Sequence, residues 1–355
     1  MTQHLIQPVA EDKAALQDRL AAWGGQDETR QAVAQVILAV ASAAEQIARL
    51  ISFGPLAGAL GGDAGTTNAD GDAQKPLDVE SNRLVLAALK DAPVAYFASE
   101  EEEAILTLRP DAPLAVAVDP LDGSSNIDVD VSIGTIFSIF PRHPAGASAS
   151  FLRPGHEQLA SGYVVYGPHT ALVLTVGAGV DLYVLDPAGG GFRLIRAGLR
   201  IAPDAREFAI NASNYRHWGS PIRTYIDDCL EGAEGPRGRN FNMRWIASLV
   251  AETHRIFSRG GVFLYPADDR PGYGRGRLRL IYEAAPIALL AEQAGGAATD
   301  GTRRILDKVA TDLHQRTPLI FGSARTVATI ADYHLNPAFA RDMSPLFQNR
   351  GLFSS

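Results

Sequence analysis

Asp119 and Asp122 are the residues whose types and spacing point most directly to chemistry; they sit in the stretch 114–128, LAVAVDPLDGSSNID. The apolar run Leu114 to Val118 predicts a buried strand that delivers both carboxylates at its carboxyl end, where ligands of open α/β sheets collect. Residues three apart on a regular strand face opposite ways. Pro120-Leu121 cannot continue a regular strand, however, and a turn there brings both carboxylates onto one cation. Hard oxygen ligands with no His or Cys beside them select Mg²⁺ or Mn²⁺ over zinc. Two such ions about 3.5–4 Å apart activate a water and stabilise a leaving alkoxide in phosphoryl transfer. The N–H groups of Gly123, Ser124 and Ser125, if they open a helix, hold phosphate oxygens.

More acids flank this stretch. Glu100, Glu101, Glu102 and Glu103 follow a short predicted strand, Tyr96 to Ser99. A run of Glu alone is a solvated helix start. Coming off one strand end shortly before another acidic strand end, it reads as part of one ligand cluster. Asp78, in QKPLDVESNRLVLAALK, precedes a helical period and is a helix-start residue unless it reaches that cluster. A calcium loop needs acids at alternate positions and a Glu at the twelfth, which this stretch lacks. A covalent aspartyl phosphatase presents Asp-x-Asp, and a nucleophilic Ser124 or Ser125 needs a base, yet no His stands in such a relation to them. Attack by a metal-activated water fits best.

The 355 residues, 46% hydrophobic and 20% charged, suit one large or two medium domains with a sizeable core. A net charge of -8 disfavours nucleic acid and anionic membrane as partners. An anionic substrate therefore needs local arginines or bound cations. Cys229 is the only cysteine, which excludes an internal disulfide and fits a reducing compartment. The acidic N-terminus is no signal peptide, and the apolar stretches fall short of the roughly 20 residues of a spanning helix, so a cytoplasmic protein is expected.

The elements that must position these residues alternate. Apolar spacing predicts a helix over 29–51, then a Gly-rich loop over 54–72 that is functional or a plain connector, then a helix within 74–90. Strand 132–140 and hairpins over 161–176 (turning at Gly167-Pro168) and 181–195 (turning at Gly189-Gly190-Gly191) follow. A boundary near 196–206 introduces a second α/β portion: FAINASNY, a helix over about 241–258, GGVFLYPA, GRLRLIYEAAP and a helix around 287–294. The end after about 336 reads as irregular.

Asp-Pro-Leu-Asp-Gly-Ser resembles the metal-binding signature of the lithium-sensitive sugar and inositol phosphatase superfamily. With GDAQKPLDVESN before it, and RLRLIYEAAPIALLAEQAGG and TDLHQRTPLIFGS after it, the chain resembles class I fructose-1,6-bisphosphatases through most of 29–330. The resemblance implies a layered α/β/α/β/α subunit with mixed, largely antiparallel sheets. It implies an N-terminal domain (1–199) with the metal site, a C-terminal sugar-phosphate-binding domain (200–336), a tail (337–355) and a homotetramer. The implied activity is Mg²⁺-dependent removal of the 1-phosphate of fructose 1,6-bisphosphate, in gluconeogenesis or the Calvin cycle.

Carried over, Glu100, Glu101, Asp119, Asp122, Glu283 and the Leu121 carbonyl hold the metals. Asp78 polarises the water with Glu101, and Asp72 and Asn68 belong to a loop that closes over the site. Asp122, Gly123, Ser124 and Ser125 contact the 1-phosphate and sugar. Asn211, Tyr215, Tyr265 and Arg277 match sugar and 6-phosphate positions, and Arg244 matches an arginine reaching the 6-phosphate across a subunit interface. Alternatives are a dual enzyme that also takes sedoheptulose 1,7-bisphosphate and a non-catalytic sugar-phosphate sensor. Inositol monophosphatase fits less well, its late Trp-Asp signature being replaced by Tyr282-Glu283-Ala284-Ala285-Pro286.

Departures matter too. Arg277 stands where the family often has Lys, keeping the charge but changing the fork geometry, and Trp245 replaces a Tyr hydroxyl. Pro113-Leu114 stands where animal members have a Lys-Tyr pair that binds inhibitory AMP, and no Thr-Gly-Glu segment is evident around 27–31. Weak or absent AMP inhibition is expected by that route. An activity titration with AMP checks this, and strong inhibition at micromolar AMP contradicts it.

Overall fold

The computed structural model describes residues 13–58, 60–62, 65 and 74–336. Three helices open it: α1 (Leu16–Gly24), α2 (Glu28–Phe53) and α3 (Pro76–Leu89). The strands β1 (Val94–Ser99), β2 (Leu106–Thr107), β3 (Leu114–Asp122) and β4 (Ile133–Pro141) follow, then the short α4 (Ala147–Phe151). Next come β5 (Ala160–Tyr166), β6 (Thr170–Thr175), β7 (Asp181–Leu185) and β8 (Phe192–Arg196). The second half runs β9 (Glu207–Ala209), α5 (Ser220–Leu230), β10 (Asn242–Met243), α6 (Leu249–Arg259), β11 (Val262–Tyr265) and β12 (Leu278–Arg279). It ends with α7 (Ala285–Gln293), β13 (Ala297–Thr299), β14 (Arg316–Thr317), β15 (Leu319–Gly322) and α8 (Ala324–Leu335).

Eight strands form one sheet in the order β2-β1-β3-β4-β5-β6-β7-β8, antiparallel except for the β1–β3 pair. Five form a second sheet, β10-β9-β11-β15-β13, and β12 pairs with β14 as a separate ribbon. Alternate residues of the first sheet divide between two cores. Phe97, Val116, Val118, Phe137 and Ile139 pack against α1, α2 and α3. Ala115, Ala117, Ile136, Tyr163 and Val173 pack the other way, with α6, α7 and the near face of the second sheet (Ala209, Phe263, Phe321). Phe208, Val262, Leu264 and Ile320 on the far face of that sheet meet α5 and α8. The layers are thus α/β/α/β/α, as expected, and a strand covered on both faces reads as an unbroken apolar run.

α2 corrects one expectation. From Glu28 the helical stretch is long and apolar enough, by length and composition, to cross a membrane. Ten of its residues, among them Val33, Val36, Ile37, Val40 and Ile47, are instead buried on the face toward the sheet, with Gln31, Gln35 and Gln46 exposed opposite. The helix expected over 241–258 also starts later, at Leu249. Residues 242–243 form β10, and Ala247 adopts φ +62°, a left-handed conformation a helix cannot contain. Ser248 then caps α6 by accepting the Ala251 N–H. Asn68, Asp72 and the tail 337–355 lie outside the described residues.

Candidate functional site

β1 and β3 are parallel neighbours with Ser99 opposite Val118, so their carboxyl ends project side by side. The Glu100 N–H donates to the Val118 carbonyl at 3.1 Å, which sets Glu100 and Glu101 beside Asp119. The Pro120-Leu121 step does not end β3. It forms a bulge: Asp119 lies opposite Ile136 and Asp122 opposite Gly134, three residues matched by two. That extra residue turns Asp122 to the face that Asp119 occupies, which regular pairing forbids. Gly134 is required there, because a Cβ would lie 2.2 Å from the Val164 carbonyl oxygen and 2.7 Å from Val250. Val250, at the start of α6, donates its N–H to Asp122 Oδ2 at 2.9 Å.

The third acid comes from the second half. Between β12 and α7 the chain makes one π-helical turn, Leu280–Ala284, which carries Glu283; such turns are frequent at functional sites. Glu283 accepts the Arg279 N–H, and carboxylate oxygens of Asp119, Asp122 and Glu283 lie within 4.8 Å of one another. All three residues are buried.

A cavity of about 340 Å³ opens over them. Gln74, Asp78, Glu100, Glu101 and Leu121 line its acidic end with the three acids. Gly123, Ser124 and Ser125 line it where a short 3₁₀ helix, Ser124–Val129, begins, and Tyr265, Arg277, Leu278 and Arg279 line it from the second half. Asn211, Asn214, Tyr265 and Arg277 line a small adjoining hollow, so Tyr265 and Arg277 join the two.

Crowding dominates the electrostatics. Burial, then repulsion from Glu100, Asp122 and Glu283, holds Asp119 well above the usual carboxylate range. Burial and Glu100 do the same to Glu283. Burial raises Asp122 to about 7 against the opposing Val250 N–H, and Glu101 to about 7 against a hydrogen bond from Gln74. Asp78, third residue of α3, accepts the Lys75 N–H through Oδ2 at 2.8 Å, yet burial lifts it to about 6. Its Oδ1 is buried without a hydrogen-bond partner. Oxygen donors alone, mutually repelling, with one carboxylate oxygen left over, fit a hard divalent cation.

Among the four glutamates only Glu100 and Glu101 line the cavity. Glu102 accepts from Asn82 Nδ2 at 2.7 Å, and Glu103 is exposed. Two expected residues are not gathered. The Tyr215 hydroxyl donates to Asp227 at 2.8 Å and its ring meets Trp218 edge-on, and its neighbour Asn214 faces the hollow instead. Arg244 is half exposed, with its Nε 3.9 Å from Glu207, away from this chain's cavity. Trp245 stacks on Phe263.

Besides Asn214, two residues escape the sequence reading. Arg279 is buried, with Nη2 3.2 Å from Glu100 Oε1, and Gln74 holds Glu101. The alternation Arg277-Leu278-Arg279 is the available signal, since residues two apart share a strand face.

A family model described as the fructose-1,6-bisphosphatase N-terminal domain matches residues 22–197, and one described as its C-terminal domain matches 201–335. A class 1 fructose-1,6-bisphosphatase from Xanthobacter autotrophicus is 55% identical over 353 residues, covering 98% of this chain and 95% of that protein. One from Rhodopseudomonas palustris is 54% identical over 342 residues, covering 96% and 99%. The crystal structure of Leishmania major fructose-1,6-bisphosphatase in holo form matches with a TM-score of 0.84 at 34% identity, covering 91% of this chain and 99% of that one.

Proposed function

The chain belongs to the class 1 fructose-1,6-bisphosphatase family, and from that premise we propose that its cavity hydrolyses fructose 1,6-bisphosphate to fructose 6-phosphate and phosphate. The observation that carries this is one continuous cavity with an acidic cluster and phosphate-turn amides at one end and Tyr265 and Arg277 at the other.

Asp119, Asp122, Glu283, Glu100, Glu101 and the Leu121 carbonyl would hold Mg²⁺ or Mn²⁺. Bound there, the cations supply positive charge that offsets the negative charge developing in phosphoryl transfer. The Gly123, Ser124 and Ser125 segment orients the 1-phosphate. Asp78, with Glu101 beside it, accepts a proton from the attacking water as the water oxygen bonds to phosphorus and the phosphorus–O1 bond breaks; the departing O1 takes a proton from solvent to leave as the sugar hydroxyl, and Asp78 returns its proton to solvent. Arg277, Tyr265, Asn211 and Asn214 hold the sugar and the 6-phosphate. Arg279 holds Glu100 in place. Arg244 serves the 6-phosphate of a neighbouring subunit in a homotetramer, which fits its exposure here. A cytoplasmic location accords with the single buried Cys229.

Phosphate release from fructose 1,6-bisphosphate, sedoheptulose 1,7-bisphosphate and inositol 1-phosphate, with and without Mg²⁺, tests the proposal. Release from the first that requires Mg²⁺ supports it, and release from the second decides whether the enzyme is dual. No release from the first with Mg²⁺ present sinks it.

The raised carboxylates also predict a pH dependence. Each binds a proton more tightly in the folded than in the unfolded chain, so stability falls as pH rises from about 4 toward 7 in the metal-free protein. Mg²⁺ must displace those protons, so its affinity rises over the same window by about tenfold per pH unit for each proton released. Thermal unfolding with and without Mg²⁺ at pH 5 and pH 8 reads both effects. The midpoint without Mg²⁺ is lower at pH 8, and the Mg²⁺-induced gain is larger there.

A further inference from the structure

The Tyr273 ring has two guanidinium groups packed over it. Arg270 Cζ is 4.0 Å from its ring centroid and Arg277 Cζ 4.5 Å. The two arginines are otherwise held differently. Arg270 is bound by Asp268, through Nη2 at 2.5 Å and Nε at 3.0 Å, and Asp268 is itself buried. Arg277 pairs with no carboxylate among the described residues, which leaves its fork of donors for a ligand.

The loop that carries this stack is fixed at both ends. Asp268 bridges to the buried Trp218, and the Tyr273 N–H donates to the Arg270 carbonyl at 3.0 Å. The Gly276 N–H donates to the Tyr273 carbonyl at 2.9 Å, and Gly276 adopts φ +79° where a Cβ would lie 2.3 Å from the Thr317 backbone. Asp268 therefore fixes Arg270, Arg270 packs over the Tyr273 ring, and the ring packs against Arg277 in turn. A guanidinium stacked on a ring keeps its plane while its N–H groups point outward.

We infer that Tyr273 is a positioning residue for Arg277, orienting its guanidinium toward the distal phosphate of a sugar bisphosphate. The inference rests on the proposed function for the identity of that ligand.

The test compares Tyr273→Leu, which removes the ring, with Tyr273→Phe, which keeps it. Each is assayed on fructose 1,6-bisphosphate and on fructose 1-phosphate, which has no distal phosphate, and fructose 6-phosphate binding is measured by calorimetry. Tyr273→Leu is expected to raise KM for the bisphosphate about 3- to 30-fold, as loss of a cation–π contact allows, with kcat within about twofold. It weakens fructose 6-phosphate binding by the same factor and leaves fructose 1-phosphate turnover unchanged. Tyr273→Phe matches the parent throughout. Equal damage to both phosphate esters, no damage to either, or a Phe variant as poor as the Leu variant overturns the inference. Failure of the parent to release phosphate from the bisphosphate sinks the proposed function instead; the calorimetric comparison of Leu with Phe still decides the role of Tyr273.

Discussion

Asp119→Asn is expected to abolish tight Mg²⁺ binding and to lower phosphate release from fructose 1,6-bisphosphate at least about a thousandfold, several kcal/mol of lost charge stabilisation. The change is nearly isosteric. Asp119 Oδ1 accepts the Leu121 N–H at 3.0 Å across the bulge, and an asparagine oxygen can accept it too, so β3 keeps its shape. Stability without metal should not fall. Asp119 is the most crowded acid of the site, repelled by Glu100, Asp122, Glu283 and Glu101, and a neutral amide relieves that repulsion. Its buried N–H₂ group costs something in return. The expected pattern is a metal-free melting temperature at or above the parent's at pH 8, no gain on adding Mg²⁺, and activity near background. A variant that still gains stability from Mg²⁺ and turns over within tenfold of the parent shows that Asp119 is not a ligand.

What could be read from the residues, and what could not, follows from how local each feature is. The acidic strand ends of 94–101 and 114–122 are local, and parallel neighbours in register necessarily deliver their terminal carboxylates together. The bulge is half legible. Pro120 signals an interruption, but whether the strand ends or absorbs an extra residue depends on β4, where Gly134 leaves room for the kink. Glu283 is legible only through the resemblance, because nothing in its own neighbourhood says that a π-helical turn will aim it at β3. Arg279 is not legible, because a buried arginine is unusual until the carboxylate it serves is known to lie across the layer. The side-chain directions of Asn214 and Tyr215 are not legible in the residues. A 3₁₀ turn beginning at Ala212 presents Asn214 to the hollow and sends Tyr215 to Asp227, and residue types alone do not fix that rotation. The late start of α6 has a similar cause. Apolar period continues through 244–248, but the Ile246 N–H goes to Glu252, the Ala247 carbonyl accepts from Asn126 Nδ2, and the backbone is left-handed between them.

Asp78→Asn separates chemistry from binding at the same site. We expect kcat to fall by about 10²–10⁴, the usual contribution of a general base, while Mg²⁺-induced stabilisation and fructose 6-phosphate binding stay within about threefold of the parent. The physical ground is position as well as proton affinity. Asp78 enters from α3, not from the strands that carry Asp119 and Asp122, and one of its oxygens is already bound to the Lys75 N–H. The other is buried, has no hydrogen-bond partner and belongs to the cavity wall. Such an oxygen can take a proton from a water without first giving up a bond. Burial lifts the group to about 6, high enough to accept that proton and low enough to be ionised near neutrality. The Asn side chain keeps an acceptor for Lys75 but cannot take the proton. Activity of the parent should therefore rise through an acid limb that the variant lacks, since the base must be deprotonated to work. Glu101, the neighbouring carboxylate, supplies the control. If Asp78→Asn leaves kcat and its acid limb unchanged while Glu101→Gln removes both, the water is served from β1 and Asp78 is only a helix-start residue.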